Sequence, residues 1–363
     1  MGHNNESFHG SDLEVISQKY QIAQDSILPY ASNVNPLGMS PLAKQTMIEY
    51  IDVLQDYPER NYARLRTAIG NYCNVDMDQI ILGNGTSELI RNAFSTIKPK
   101  KTVIIGPTYS EYKNAAKLTG SEVEMYMLDQ LDDFELYVQH FIDSLYENID
   151  MVIICNPNNP TGKAITRDDM SLIVEACHKL NIFVMVDETY VEFVSNVNQI
   201  SSVSLTSSYD NLLVLRSTSK FFCTPGLRLG YAITTNKEYI EASDDTKVPW
   251  NINSLASIAS VMFTDEHFMN LTSSVIQTER NLIYSALCSR KTIKVFKPDA
   301  NFVLIKLLKD DLTATEVFEY CLKKGFMIRD CTDYEGLGEK YVRFCFLKPE
   351  QNDRMVNTIL EIV

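Results

Sequence analysis

The sequence predicts an α/β protein with a mostly parallel sheet, followed by a smaller α+β unit. Three observations predict it. Between residues 79 and 234, short apolar runs alternate with helical patterns. Several of those runs are unbroken, as in strands buried on both faces. After Trp250 the order changes to a long helical stretch and then a cluster of strand-like runs.

The runs of the first part are Gln79–Leu82, Thr102–Ile105, Met151–Cys155, Ile182–Val186, Leu212–Leu215 and Leu229–Ile233. Between Met151 and Val186 the spacing predicts a helix. Thr166 and Asp169 are placed for a capping box, and Met170, Ile173, Val174 and Cys177 share one face. Strand, helix, strand in this order makes βαβ units. Residues 253–290 hold no proline or glycine and read as one long helix. Strand-like runs follow at Ile293–Phe296, Phe302–Lys306, Phe326–Arg329 and Tyr341–Phe346, with helices expected over 313–323 and about 350–361. The chain therefore divides into an N-terminal arm (1–45) that packs on the C-terminal unit, a large domain (46–250) and a small C-terminal domain (251–363).

The chain has 363 residues, 45% apolar and 22% charged, ordinary values for a soluble globular protein. No apolar run approaches the length of a membrane span. A net charge of −14 argues against nucleic-acid binding, because phosphate backbones are repelled. A few arginines focused in a cleft still suit a small anion. The eight cysteines form no C-x-x-C pair and sit mostly among apolar residues, the pattern of reduced thiols in a cytoplasmic protein. The five histidines lack metal-ligand spacing, so no metal is expected.

Four segments carry chemistry, each at the end of an expected strand. In Arg216-Ser-Thr-Ser-Lys220, closed by Pro225-Gly-Leu-Arg228, the lysine sits at the mouth of the sheet, where α/β folds bind ligands. A buried lysine there has a lowered pKa and can form an imine. Ser217, Ser219 and Arg228 around it suit a phosphate. Taken alone, Lys220 reads more readily as a surface lysine in a loop. In Cys155-Asn-Pro-Asn-Asn159-Pro-Thr-Gly162 a rigid turn presents the Asn159 amide, though an ordinary asparagine turn has the same composition. In Val186-Asp187-Glu-Thr-Tyr190 a carboxylate ends a buried strand and needs a cationic partner. A protonated pyridine nitrogen would serve, and so would an arginine. Gly83-Asn-Gly85-Thr86-Ser87-Glu88 opens a helix whose backbone amides suit phosphate. The same pattern fits a dinucleotide site, but the third glycine of that fingerprint is missing.

Taken together, these segments resemble the pyridoxal-phosphate (PLP) enzymes of fold type I, in the aspartate aminotransferase superfamily, over essentially the whole chain. The resemblance implies a three-layer sandwich around the sheet and pyridoxal 5'-phosphate as cofactor. It implies Lys220 as Schiff-base lysine and proton shuttle, Asp187 as partner of the pyridinium, and Asn159 and Tyr190 as donors to the ring oxygen. Tyr109, in Pro107-Thr-Tyr109, would stack on the ring. Gly85, Thr86, Ser87, Ser217, Ser219 and Arg228 would hold the phosphate. Tyr57 would reach the neighbouring subunit's cofactor, which implies a homodimer with shared active sites.

Within the superfamily, the chain is most similar to histidinol-phosphate aminotransferases and to threonine-phosphate decarboxylases of cobalamin synthesis. The second likeness rests on His9-Gly10, Ser32-Asn33-Val-Asn35-Pro-Leu-Gly-Met39, Pro249-Trp250, Ile328-Arg329-Asp-Cys331 and Tyr334-Glu-Gly-Leu337. It implies Arg343 as the grip on an α-carboxylate, with Arg329, His9 and Asn33 available to a second anionic group. Against it, the decarboxylases usually carry phenylalanine where this chain has Tyr190, and tyrosine there typifies the aminotransferases. A third likeness is to aminotransferase-like domains that act on 2-aminoethylphosphonate or related compounds. The expectation is an aminotransferase for a small amino compound bearing a phosphate or phosphonate. The alternatives are the decarboxylase and a non-catalytic PLP-binding protein. A non-catalytic homologue would have no chemical need for Lys220.

Overall fold

Seven strands form the larger sheet: β1 (Ile80–Asn84), β2 (Lys101–Gly106), β3 (Glu122–Met127), β4 (Met151–Cys155), β5 (Phe183–Asp187), β6 (Leu212–Ser217) and β7 (Leu229–Ile233). The computed structural model that shows them describes residues 12–363. Their order is β1-β7-β6-β5-β4-β2-β3. The pairs from β6 through β5, β4 and β2 to β3 are parallel, and β7 runs antiparallel to both its neighbours. Every residue of β4, β5, β6 and β7 is buried, which is why their sequences do not alternate.

Successive side chains on these strands enter opposite layers. Met151 and Ile153 pack with Leu89, Phe94, Tyr112 and Ala116, from the helices Thr86–Ile97 and Glu111–Thr119. Val152 and Ile154 pack on the other side with Met170, Ile173, Val174 and Cys177, from the helix Arg167–Lys179. The sheet is thus the middle of three layers. Thr166 caps that last helix, its hydroxyl accepting from the Asp169 N–H at 3.2 Å.

β3 has no counterpart among the expected strands. It is one of the two edge strands, and its alternating Glu122 and Glu124 stand in water and pair with Lys101. Charged edges resist pairing with other chains but carry a weak hydrophobic signal. The helix expected over 253–290 is broken. A short helix (Ser254–Ile258) and a 3₁₀ turn (Ala259–Thr264) precede the long helix Glu266–Cys288. Asp265 makes the break by capping the second helix, accepting from the Phe268 N–H at 3.2 Å.

The smaller sheet is antiparallel, in the order β10 (Arg329–Asp330), β11 (Tyr341–Cys345), β9 (Phe302–Leu307), β8 (Ile293–Val295). The run Phe326–Arg329 supplies only the short β10, plus a bridge from Phe326 to Leu28. The register sets Arg329 opposite Arg343. The helix Ala314–Lys323 is closed by a capping box of Thr313 and Glu316.

Residues 28–35 tie the two sheets together. The Cys345 N–H donates to Tyr30 O at 2.8 Å, Asn301 Nδ2 to Asn33 O at 3.0 Å, and the Asn35 N–H to Lys220 O at 2.9 Å. The ends of β5 and β6 are welded by a buried ion group, with Arg216 against Glu188 at 2.9 Å and Glu192 at 3.3 Å. Burial pushes Glu192 up to about 7. Among the described residues, no helix is long and apolar enough to cross a membrane, and no residues cluster to hold a metal.

Candidate active site

A cavity of about 380 Å³ opens at the C-terminal ends of the central strands. Lys220, Asp187, Tyr190, Asn159, Tyr109, Asn33 and Arg343 all line it, together with Thr86, Ser87, Ser217, Ser219 and Arg228. The topology therefore brings together residues far apart in sequence.

Lys220 lies in the turn after β6, and its Nζ donates to Ser32 O at 2.7 Å. The side chain is half-buried, and it lines the cavity. Desolvation pulls its pKa down to about 8, with the positive charge of Arg343 adding to the shift. A larger share of the amine is then unprotonated at neutral pH than in an ordinary lysine.

Asp187 ends β5 and is 3% exposed. Tyr112 Oη donates to it at 2.8 Å, Thr189 N at 2.9 Å and Thr189 Oγ1 at 2.6 Å. Burial pushes its pKa up against these three bonds. The arginine that could have neutralised it is not there: no ion pair among the described residues includes Asp187. A desolvated carboxylate facing a cavity is left without a cation.

Arg343, in β11, is 3% exposed. Its Nη1 bonds to Asn159 Oδ1 and donates to Tyr334 Oη at 3.3 Å, and Nη2 donates to Ala31 O at 2.9 Å. The guanidinium lies 5.2 Å over the Phe302 ring, and its Nε has no partner among the described residues. Tyr334 Oη also donates to Asn159 Oδ1, at 3.2 Å. With Oδ1 engaged twice, the Asn159 amide keeps its Nδ2 as the remaining donor. Tyr190 is buried with its ring edge on Phe302, centroids 5.0 Å apart, and its hydroxyl accepts from Asn33 Nδ2 at 3.3 Å. Asn33 has a left-handed backbone, φ 57°.

At the opposite end Gly85, φ 80°, leads into the helix Thr86–Ile97. A Cβ at Gly85 would lie 2.3 Å from Arg228 Nη2, so the guanidinium reaches this turn only because the residue is glycine. Arg228 donates to Pro225 O at 3.2 Å and to Asn84 O at 3.4 Å, both uncharged. Ser217 Oγ accepts from the Ser219 N–H at 3.1 Å. Tyr109 packs edge-on against Tyr112, centroids 5.7 Å apart.

One of the expected residues, Arg329, stands differently. Arg329 was expected to be available to an anion, but its Nη2 lies 2.7 Å from both carboxylate oxygens of Asp333. The loop between β10 and β11 turns that carboxylate back onto it. Tyr57 is 81% exposed, outside the cavity of its own chain, with its ring 4.9 Å from that of Trp250. His9 lies outside the described residues. Four contributors escaped the sequence reading. Tyr112 reads there only as part of an apolar helix face with Ala115 and Ala116. Thr189, Ser32 and Tyr334 fall inside segments already singled out, but their partners are remote or local in ways no periodicity encodes.

A three-layer α/β sheet with a softened lysine, an uncompensated buried carboxylate and a glycine-arginine cradle around one cavity defines a PLP-dependent enzyme of fold type I. Residues 26–359 match the family model for aminotransferase class I and II, and the chain belongs to that family. It is 31% identical to histidinol-phosphate aminotransferase from Methanosphaera stadtmanae, over 98% of this chain and 95% of that protein. It is 28% identical to threonine-phosphate decarboxylase from Salmonella typhimurium, over 98% and 97% respectively. Among solved structures, histidinol-phosphate aminotransferase from Clostridium acetobutylicum superposes with a TM-score of 0.85, at 32% identity over 92% of this chain and 98% of that one. The family works with PLP. The residues present fit that group. Asp187 offers a carboxylate that no cation among the described residues pairs with, and the Gly85–Arg228 turn offers amides and a guanidinium to a phosphate.

Proposed function

We propose that this chain is an aminotransferase for a small primary amino compound bearing a phosphate or phosphonate. The observation that carries the substrate side is Arg343, a buried guanidinium in the cavity with, among the described residues, no carboxylate against it and no partner for its Nε. Such a group asks for an anion to enter. When bound, PLP withdraws electrons from the substrate's Cα so that a bond there can break. Lys220 would anchor the cofactor's aldehyde carbon and, once released, carry a proton from Cα to the cofactor's C4′. Asp187 would hold the proton on the ring nitrogen. Asn159 Nδ2 and Tyr190 Oη would donate to the ring oxygen, Tyr109 would cover one ring face, and Gly85, Thr86, Ser87, Ser217, Ser219 and Arg228 would hold the phosphate.

A second reading, decarboxylation of O-phosphothreonine, is favoured by the register that sets Arg329 opposite Arg343 in one cavity. Two guanidinium groups suit two anions. Incubation with 2-oxoglutarate and each of histidinol phosphate, 2-aminoethylphosphonate and O-phosphothreonine separates the two readings. We expect glutamate and a carbonyl product from one of the first two. Carbon dioxide and 1-aminopropan-2-ol phosphate from the third, with no carbonyl product from any, would overturn the transaminase reading. Arg343→Ala should lower kcat/KM on the active substrate by about 30-fold or more, as a buried charged contact is lost. A change under threefold would show that Arg343 does not bind the substrate's anion.

We also propose a homodimer with shared sites. Leu42, Ile48, Ile51, Leu54 and Tyr57 are exposed apolar side chains within one stretch of chain, and the exposed Trp250 lies against Tyr57, with ring centroids 4.9 Å apart. Sedimentation should give a dimer at micromolar concentration, and a monomer there would overturn the proposal. The eight free thiols, five of them buried, support a cytoplasmic site of action.

A further inference from the structure

Three consecutive residues of the segment that ties the sheets together each hold one group of the cavity. Ala31 O accepts from Arg343 Nη2 at 2.9 Å, Ser32 O accepts from Lys220 Nζ at 2.7 Å, and Asn33 Nδ2 donates to Tyr190 Oη at 3.3 Å. The first two are carbonyls that hold cationic side chains. The third is an amide on a phenol, and there the direction of the bond matters. A phenol has a single proton to give. Where Asn33 donates to Oη, that proton is left for another acceptor; where Asn33 accepts, the proton is used up. Asn33 is 1% exposed, and its Oδ1 has no partner among the described residues. Turning the amide over would put its two N–H donors in that partnerless place, and orphaned buried N–H groups are rarer than orphaned C=O groups. Both side chains are also held in position. Asn33 has a left-handed backbone, which asparagine adopts more readily than most residues, and Asn301 Nδ2 donates to its carbonyl at 3.0 Å. The Tyr190 ring stands edge-on to Phe302.

We infer that Asn33 is a positioning residue for Tyr190: its amide donates into the phenol oxygen, so that the phenol's own proton is kept for the cofactor's ring oxygen. The inference rests on the reading that places Tyr190 on that ring oxygen, and it adds what orients the phenol there. A hydroxyl that accepts one hydrogen bond becomes a stronger donor of its own. Burial raises the Tyr190 pKa, while the charge of Arg343 and the Asn33 bond both act the other way. The role is set before any substrate enters, because the bond joins two residues of the protein.

The visible absorbance of the PLP-loaded protein tests this without a substrate. Its change with pH reads the proton shared by the ring oxygen and the Lys220 nitrogen, and a hydrogen bond donated to the ring oxygen loosens that proton. Tyr190→Phe should tighten it by about tenfold or more, a rise in its pKa of about 1. Asn33→Gly and Asn33→Ala both remove the amide. Glycine takes the left-handed backbone at no steric cost and alanine strains it, so an effect common to both belongs to the amide. Each should tighten the proton by about twofold or more, and by less than Tyr190→Phe does. Added to Tyr190→Phe, neither should have a further effect, because the amide acts through the phenol. Thermal melts of the loaded proteins show that the fold is kept. A loosened proton in the Asn33 variants would mean that Asn33 accepts from Tyr190 and holds its proton back, and would overturn the inference. So would no change in either variant, a change in only one of two folded variants, or a change that persists on top of Tyr190→Phe. No effect of Tyr190→Phe itself would take Tyr190 off the ring oxygen, overturning that reading and the inference with it. Failure of the transaminase chemistry shows separately, in the products formed from the amino substrates.

Discussion

Asp187→Ala is expected to keep the fold and to lower kcat by at least about a hundredfold. Asp187 is buried at the end of β5 and pairs with no cation among the described residues. Its charge is therefore free to hold a proton on the ring nitrogen of PLP, and that proton makes the ring an electron sink. Removing a fixed charge that stabilises developing charge in a water-excluded site typically costs about 2.7–4 kcal/mol in the transition state. Asp187→Asn keeps the shape and should lose nearly as much, which separates charge from packing. The cofactor-free protein should respond in the opposite sense. Burial raises the Asp187 pKa above its unfolded value, so the stability this group contributes is fully present below about pH 4 and is lost as pH rises through the folded value. At neutral pH the cofactor-free Asp187→Asn variant should thus be at least as stable as the cofactor-free parent, while the parent gains more from PLP. Steady-state kinetics and thermal melts with and without PLP measure both. Turnover within a few-fold of the parent would remove Asp187 from the role of pyridine partner.

Lys220→Ala is expected to abolish covalent attachment of PLP and to lower the rate by about 10⁴-fold or more, the scale on which a positioned acid-base group or nucleophile acts. Two features of this lysine support so large an effect. Its desolvation leaves the pKa at about 8, so that near neutral pH the amine accepts and releases protons readily. It is also held at the cavity by a bond to Ser32 O, on the segment that joins the two sheets. Borohydride reduction of the parent followed by peptide mapping should place the cofactor on Lys220. A label on another lysine would refute the assignment. The alanine variant should bind PLP without a covalent bond, so loss of attachment and loss of folding are distinguishable by its melt.

Strand identity was the most legible part of the fold. Met151–Cys155 and Leu229–Ile233 agree with β4 and β7 to the residue, because strands buried on both faces have continuous apolar sequence. β3 was not legible, because an edge strand with Glu122 and Glu124 facing water has no such run. The 253–290 stretch misled for a different reason. It lacks proline and glycine, and the break comes from Asp265 acting as a cap, a role that a solvent-facing aspartate in mid-helix shares by composition.

The sequence by itself determined that Lys220, Asp187 and Asn159 stand at strand ends, because apolar runs stop where polar side chains begin. Strands of one parallel sheet deliver their ends to the same edge. That topology suffices to predict convergence on one ligand. Only the tertiary structure decided which charges remain open once the residues have met. Asp187 could have been satisfied by an arginine and is instead held by Tyr112 and Thr189, which leaves its charge for a cofactor. Arg329 and Arg343 are the same residue type on neighbouring strands, yet one is neutralised and the other is not. The difference lies in the loop between β10 and β11, which turns Asp333 back onto Arg329. Outside a helix, a four-residue spacing says nothing about whether two side chains face each other. Charge type is written in sequence, whereas charge compensation depends on distances of a few ångströms that only the folded chain sets.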